Sequence, residues 1–258
     1  MYTKNDFLKN CGNSIENIDK LYTAYISSIK SGRTIITDDF YSENINESLR
    51  IICKKSSINF LAYGFSESAE RNLIAFGNSI RDVSIFNDSA KVLKISYNDK
   101  FNKLSHRDFL GSIMSLGFAR EKMGDLVLLN NSVYVPVIET FTDYIIQNLN
   151  KVRNVAVSVE IDLFNRLPQK KFEILYKVVS SLRIDVIVSV LTNLSREKSK
   201  VLINSSNVKV NGNLVLSVDG KVCENDIIVI RGYGKFKIKE TLGNTTKNKI
   251  KIVIDKFI

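Results

Sequence analysis

Apolar residues recur at i, i+3, i+4 and i+7 in Ile184, Ile187, Val188 and Leu191, the spacing that gives a helix one apolar face. The pair Asn193-Leu194 interrupts that pattern, and Ser195 follows, a residue type whose hydroxyl accepts a free amide from the next helix's first turn. At about 100° per residue a second helix places Ser199, Leu202 and Ile203 on one arc, with Arg196 and Lys200 side by side at its edge. The period then drops to two: Val208 and Val210 point inward, Lys209 and Asn211 outward, and Asn211-Gly212 predicts a hairpin turn. Beyond it the chain reads as strands over 214–218, 227–230, 236–239 and 249–254, with a turn at Asp219-Gly220.

Upstream, residues 3–56 carry helical periodicity. Asn5-Asp6 starts a first helix, Ser14 with Asn17 starts a second that runs to Ile29 and closes at Lys30-Ser31-Gly32, and Thr37-Asp38-Asp39 caps a third bearing Phe40, Leu49 and Ile52. The runs 58–63, 72–76 and 92–97 are extended. From the last of these onward the order is strand 92–97, helix 105–116, strand 124–129, turn at Asn130-Asn131, strand 133–138, helix 140–149 and strand 155–161. This β-α-β-β-α-β order predicts a ferredoxin-like, RNA-recognition-like plait. The expected class is α+β, with an N-terminal helical region over 1–57, the plait over 58–165, a linker over 166–180 marked by Pro168 and Gln169, and a small C-terminal α+β domain over 181–258. Tyr134 is the one candidate stacking aromatic on the central strands, and a buried or edge tyrosine is the commoner explanation.

Charge changes this picture. The net charge of +10 is not spread evenly: residues 1–162 carry 19 Lys and Arg against 19 Asp and Glu, whereas residues 163–258 carry 18 against 8. A surplus confined to one end is the footprint of a polyanion-binding module. A membrane surface would also attract it, but the basic segment alternates as strands and has no amphipathic helix with bulky apolar anchors. Cys11, Cys53 and Cys223 stand far apart beside a single His, so we expect no metal site, no cofactor and reduced thiols. No run approaches a signal peptide or the roughly 20 apolar residues of a membrane span, so a cytoplasmic location follows.

Cations at a helix start suit a phosphate backbone. The positions Arg183, Asp185, Leu194-Ser195-Arg196, Leu202-Ile203, Val208, Val210-Asn211-Gly212, Asp226 and Arg231 resemble the RNA-binding domain named after ribosomal small-subunit protein four, the S-four domain. One departure is Ser206, where that family usually has Gly before the strand. On this reading Arg183, Ser195, Arg196, Lys198, Lys200, Lys209 and Asn211 hold RNA phosphates, and Arg231 and Lys235 of the RGYGKFK segment extend the patch. Cations and small polar groups outnumber base-reading groups there, which points to backbone contacts.

Other motifs are weaker. His106-Arg107-Asp108 matches three letters of a kinase catalytic loop without its downstream Asn or a glycine-rich loop. Arg183-Ile184-Asp185 is similar to a catalytic segment of pseudouridine synthases, yet it lies in the S-four match, where Asp185 is better placed to pair locally or orient the arginine. Nothing else supports an enzyme. Residues 104–125, LSHRDFLGSIMSLGFAREKMGD, together with Ala69-Glu70-Arg71 and the RGYGKF tail, resemble the YlmH family of bacterial RNA-binding proteins over nearly the whole chain, least in residues 1–55. The resemblance implies a non-catalytic, monomeric protein of the large ribosomal subunit, bound to ribosomal or transfer RNA, that acts in quality control of stalled nascent chains. It adds Arg71, His106, Arg107, Arg120 and Lys122 as further RNA contacts. The alternatives are a cell-division protein whose partner docks on the N-terminal helices, and an RNA-modifying enzyme.

Overall fold

The computed structural model of the chain describes residues 2–11, 17–98, 104–169, 172–246 and 248–257. Two units divide it, Met1–Gln169 and Lys170–Ile258. The first opens with α1 (Lys4–Cys11) and α2 (Ile18–Ser31). Ser14, expected to start α2, lies outside the described residues, and Asn17 occupies the cap position. Gly32 ends α2 at φ 66°, its N–H donating to the Ser28 carbonyl at 2.9 Å, a left-handed conformation that glycine adopts without a Cβ penalty. Next come β1 (Ile35–Ile36), β2 (Tyr41–Ser42), α3 (Ile45–Lys55), β3 (Phe60–Tyr63) and β4 (Arg71–Phe76).

Thr37-Asp38-Asp39 does not cap the third helix. Thr37 exchanges backbone and side-chain bonds with β4: its N–H donates to the Ile74 carbonyl at 2.9 Å, and its hydroxyl oxygen accepts the Ile74 N–H at 3.0 Å. Short polar side chains offer acceptors to whichever amide is near, and here a strand supplies it before a helix can. Phe40, expected on the helix, is fully buried ahead of it.

The second sheet consists of β5 (Ala90–Tyr97), β6 (Val127–Leu129), β7 (Ser132–Ile138), β8 (Lys151–Val152) and β9 (Val155–Ile161), with α4 (His106–Met114) and α5 (Thr142–Asn148) between its strands. It is antiparallel, in the order β6-β7-β5-β9-β8. Both helices cover one face, with Phe109, Ile113 and Ile145 packed on Leu93, Ile95 and Val135. The N-terminal helices pack Leu21, Tyr25 and Leu49 against Ile74 and Phe76. Leu73 and Ala75, on the other side of β4, meet Phe40, Phe65 and Phe86 and then Val92 and Ile138 of the second sheet. The unit is therefore layered as helices, small sheet, larger sheet, helices. The boundary expected at 57/58 falls inside a packed layer, because β4 pairs with β1, β2 and β3 beneath α1–α3. Tyr134 is partly buried against the inter-sheet cluster.

The second unit comprises β10 (Phe172–Val179), α6 (Ile184–Thr192), α7 (Arg196–Asn204), β11 (Val208–Val210), β12 (Asn213–Leu214), β13 (Ile227–Ile230), β14 (Gly234–Asn244) and β15 (Ile250–Phe257). These strands form an antiparallel sheet in the order β10-β15-β14-β13-β11-β12. Its inner face buries Ile228, Ile230, Phe236 and Ile252 against Ile184, Ile187, Val188 and Ile203 of the helices.

The linker expected over 166–180 is corrected. Leu167 is buried, its N–H donating to the Phe65 carbonyl at 2.8 Å, and residues 172–179 form an edge strand paired with β15 from Phe172↔Phe257 to Val179↔Ile250. Residues 170 and 171 lie outside the described residues. The strand expected over 214–218 stops at Leu214, where its pairing with β11 ends, and Leu216 is 95% exposed.

Candidate nucleic-acid interface

Arg183 is the N-cap of α6, and the helix start is anchored by the Ile184 N–H donating to the Gly220 carbonyl at 2.8 Å. One residue into the helix, Asp185 is fully buried. Its carboxylate accepts from Arg183 Nε at 3.1 Å and Nη2 at 3.3 Å, and from Arg196 Nη2 at 2.6 Å. The two arginine side chains are 39% and 53% exposed, so a buried carboxylate clamps two guanidinium groups at the surface. A guanidinium has five N–H donors. Arg196 gives one nitrogen to Asp185, which leaves the rest of a half-exposed fork to an outside anion. One carboxylate between two cations also leaves a local surplus of positive charge.

Burial works to raise the Asp185 pKa, but the hydrogen bonds from Arg183 and Arg196 outweigh it and hold the carboxyl below the usual aspartate range. The stability this pairing contributes is present above the unfolded aspartate pKa of about 3.9 and is lost as pH falls through the lower folded value. The Asp185→Asn variant is therefore expected to show a shallower loss of stability below about pH 4 in urea unfolding than the wild type. Superimposable acid limbs would contradict the clamp.

The connection between α6 and α7 is stiff. Asn193 adopts φ 56°, Ser189 Oγ donates to the Leu194 carbonyl at 2.6 Å, and Ser199 Oγ donates to the Ser195 carbonyl at 3.0 Å. Ser195 caps α7, its Oγ accepting the Lys198 N–H at 3.4 Å, while its own O–H remains a donor. Lys200 pairs with Glu197 at 2.8 Å, one turn along the edge that begins at Arg196. Lys198 is exposed about 200° round the helix from Arg196.

The remaining expected contacts are placed differently. Lys209 and Lys235 alternate with the buried Val208 and Phe236, so they lie on the sheet face away from the helices. Asn211 is tied to the start of β13: Nδ2 donates to Asp226 Oδ1 at 2.8 Å, and Oδ1 accepts the Ile227 N–H at 2.9 Å. With φ 50° at Asn211 and 79° at Gly212, this amide shapes the turn and is unlike the expected phosphate ligand. Arg231 is exposed just after β13, its N–H donating to the Asn207 carbonyl at 2.9 Å.

On the N-terminal unit, His106 and Arg107 are exposed at the start of α4. Arg71, Arg120 and Lys122 are occupied internally. Arg71 Nη2 donates to the Phe40 carbonyl at 2.8 Å, and Arg120 Nη1 donates to the Met123 and Gly124 carbonyls at 2.7 and 3.0 Å. Lys122 Nζ meets Asp39 at 2.6 Å and Asp38 at 2.9 Å. Asp125 accepts the Glu70 N–H at 2.8 Å, and the Glu121 carbonyl accepts the Phe40 N–H at 2.7 Å. The ordered motif of 69–71 and 120–125 is thus a joint between the two sheets of this unit.

Residues 87–165 match the family model described as "Putative RNA-binding domain in YlmH". That domain holds the larger sheet with α4 and α5. The chain is also similar to "Ribosome-associated protein quality control protein P2" of Bacillus subtilis (strain 168), with 33% identity over 168 residues, 64% of this chain and 65% of that protein. The chain thus spans just under two thirds of the length of the curated relative it matches. Among solved structures it is similar to "Cell division protein ylmH from Streptococcus pneumoniae", with a TM-score of 0.48, 20% identity, and coverage of 64% of this chain and 94% of that one.

Among the described residues there is no group of three or more His, Cys, Asp and Glu side chains able to bind a metal ion. No helix among them is long and apolar enough to cross a membrane. Cys11 and Cys53 are buried in the N-terminal core, and burial pushes both thiols up to about 12.

Ser206 stands at φ 59°, the left-handed conformation that its departure from glycine puts under strain. Ser206→Gly relieves that strain but also frees the unfolded chain, so a net gain of about 0.5 to 1 kcal/mol is expected in urea unfolding. A loss of stability would show that Ser206 makes a compensating contact.

Proposed function

We propose that this chain is a non-catalytic RNA-binding protein of the YlmH family that works on the ribosome, in quality control of stalled nascent chains. The observation that carries this reading is the match of residues 87–165 to an RNA-binding domain of YlmH. The relative named for ribosome-associated quality control supports the ribosomal role. Strand order β9-β5-β7-β6 with two helices on one face supports reading residues 87–165 as a ferredoxin-like plait, and the helix-turn-helix on a sheet is read as an S-four-type domain. The plait's opposite face, which RNA-recognition domains use for stacking, is partly covered by the N-terminal layer. RNA contact is therefore assigned first to the C-terminal unit, through Arg183, Arg196 and the edge of α7. The protein works in the cytoplasm as a monomer, with ribosomal or transfer RNA on the large subunit as its partner.

Fluorescence anisotropy with a ribosomal RNA helix tests this reading. The wild type is expected to bind with log affinity falling linearly against log salt, as phosphate contacts release counterions. Arg196→Glu with Lys200→Glu is expected to weaken binding and flatten that slope. Salt-independent binding, or binding that the double variant retains, contradicts it.

A further inference from the structure

The face of the C-terminal sheet turned away from α6 and α7 carries a pattern that the helix-side interface does not use. One row crosses the sheet from Phe172 through Phe257, Lys235 and Val229 to Lys209. The next sets Ile174 beside Asp255 and Lys237, a third sets Tyr176 beside Val253, and a fourth sets Val178 beside Lys251. Phe172 and Phe257 meet edge to face at 4.9 Å, and the Lys235 ammonium lies 4.6 Å from the Phe257 ring centroid. Tyr176 is 73% exposed and Phe172 40%.

This face is neither a core nor a merely solvated surface. A face destined for burial against apolar partners would not carry lysines in alternate columns, and a solvated one would not expose Tyr176, Ile174 and Phe172 along a single edge strand. Aromatic rings interleaved with cations on one sheet face are what a flexible polyanion with planar bases requires, since every base has a stacking face and every nucleotide a phosphate. The charge balance selects that occupant over an acidic or apolar protein segment. Lys209, Lys235, Lys237, Lys239 and Lys251 stand against Asp255 and Glu240 across these strands, and the cations are spread among the apolar groups.

We propose that this outer sheet face binds single-stranded RNA, with bases stacked on Tyr176 and Phe172 and the backbone held by Lys237 and Lys251. The proposal rests on the RNA-binding reading above and adds a second, unpaired class of substrate to it. The two stacking positions lie four residues apart on one strand, about 13 Å.

The test uses full-length protein and a fluorescein-labelled, mixed-sequence single strand of about twelve nucleotides, within the site sizes such platforms occupy, beside a labelled RNA hairpin. Tyr176→Ala is expected to weaken single-strand binding at least about fivefold, with Tyr176→Phe close to wild type and hairpin binding unchanged. Lys237→Glu with Lys251→Glu is expected to weaken it further and to reduce the salt slope. Because Tyr176 is mostly exposed, its loss leaves the fold intact, and unfolding curves check this. Single-strand binding that none of these variants changes overturns the proposal. If the wild type binds the hairpin but no single strand, the outer face is wrong while the RNA-binding reading stands. Binding of neither RNA removes both.

Discussion

Replacing Lys122 by alanine is expected to destabilise the N-terminal unit by about 2 to 3 kcal/mol, whereas Lys20→Ala is expected to cost about 1 kcal/mol or less. Both lysines hold Asp39, at 2.6 and 3.0 Å, and the Asp39 side chain is fully buried. The difference lies in their own exposure, 16% for Lys122 and 51% for Lys20. Removing Lys122 leaves a buried carboxylate with one solvent-screened partner and the Asn17 amide at 3.0 Å, and it also unties Asp38 and the Asp38 carbonyl. The Lys122 pKa is raised even though burial opposes this, because Asp39 and Asp38 bond its ammonium. Its contribution is therefore complete below the unfolded lysine pKa of about 10.4 and is lost as pH climbs through the folded value. The Asp38 carboxyl is held low, with Lys122 outweighing the effect of burial, so its share disappears on acidification instead. Urea unfolding of the two variants decides the matter: equal losses would mean that the joint does not depend on the buried pair.

The second large effect is on RNA. Arg183→Gln combined with Arg196→Gln is expected to lower affinity for a ribosomal RNA helix about a hundredfold at low salt, since two charge-assisted phosphate contacts disappear together. The magnitude of the salt slope should fall by about 2. Glutamine is chosen because it removes both charges while keeping a neutral amide donor at each position. Anisotropy titrations across a salt series measure both quantities. An affinity loss with an unchanged slope would mean that these arginines shape the site without touching phosphate.

Local chemistry made the helix pair legible in the sequence. The apolar spacing from Ile184 to Leu191, the cap at Ser195 and the Asn211-Gly212 turn each fix a conformation by themselves, and they appear as α6, α7 and a hairpin. The pairing of Asp185 with its arginines followed from its place in that helix. What escaped were features set by distant segments. Thr37-Asp38-Asp39 carries the letters of a cap but finds its donors on β4 and Lys122. Arg71 and Lys122 read as RNA contacts because the groups they meet lie 31 and 84 positions away in sequence, whereas Arg120 turns back onto carbonyls only three and four residues on. The segment Phe172-Glu173-Ile174-Leu175-Tyr176-Lys177-Val178-Val179 reads as part of a linker until its alternation is set against β15, and only then do its aromatics appear on the outer face. The signal was present as period-two exposure beside a basic tail, but Pro168 and Gln169 suggested a linker there.

Sedimentation of the full-length protein with ribosomal subunits, wild type beside the Arg183→Gln, Arg196→Gln variant and across a salt series, tests the central claim most directly. The account predicts that the wild type travels with the large subunit at low salt and leaves it as salt rises, while the folded variant stays at the top of the gradient throughout. Wild type and variant travelling together with the subunit, or both remaining at the top, would contradict a ribosomal function seated on the arginine clamp.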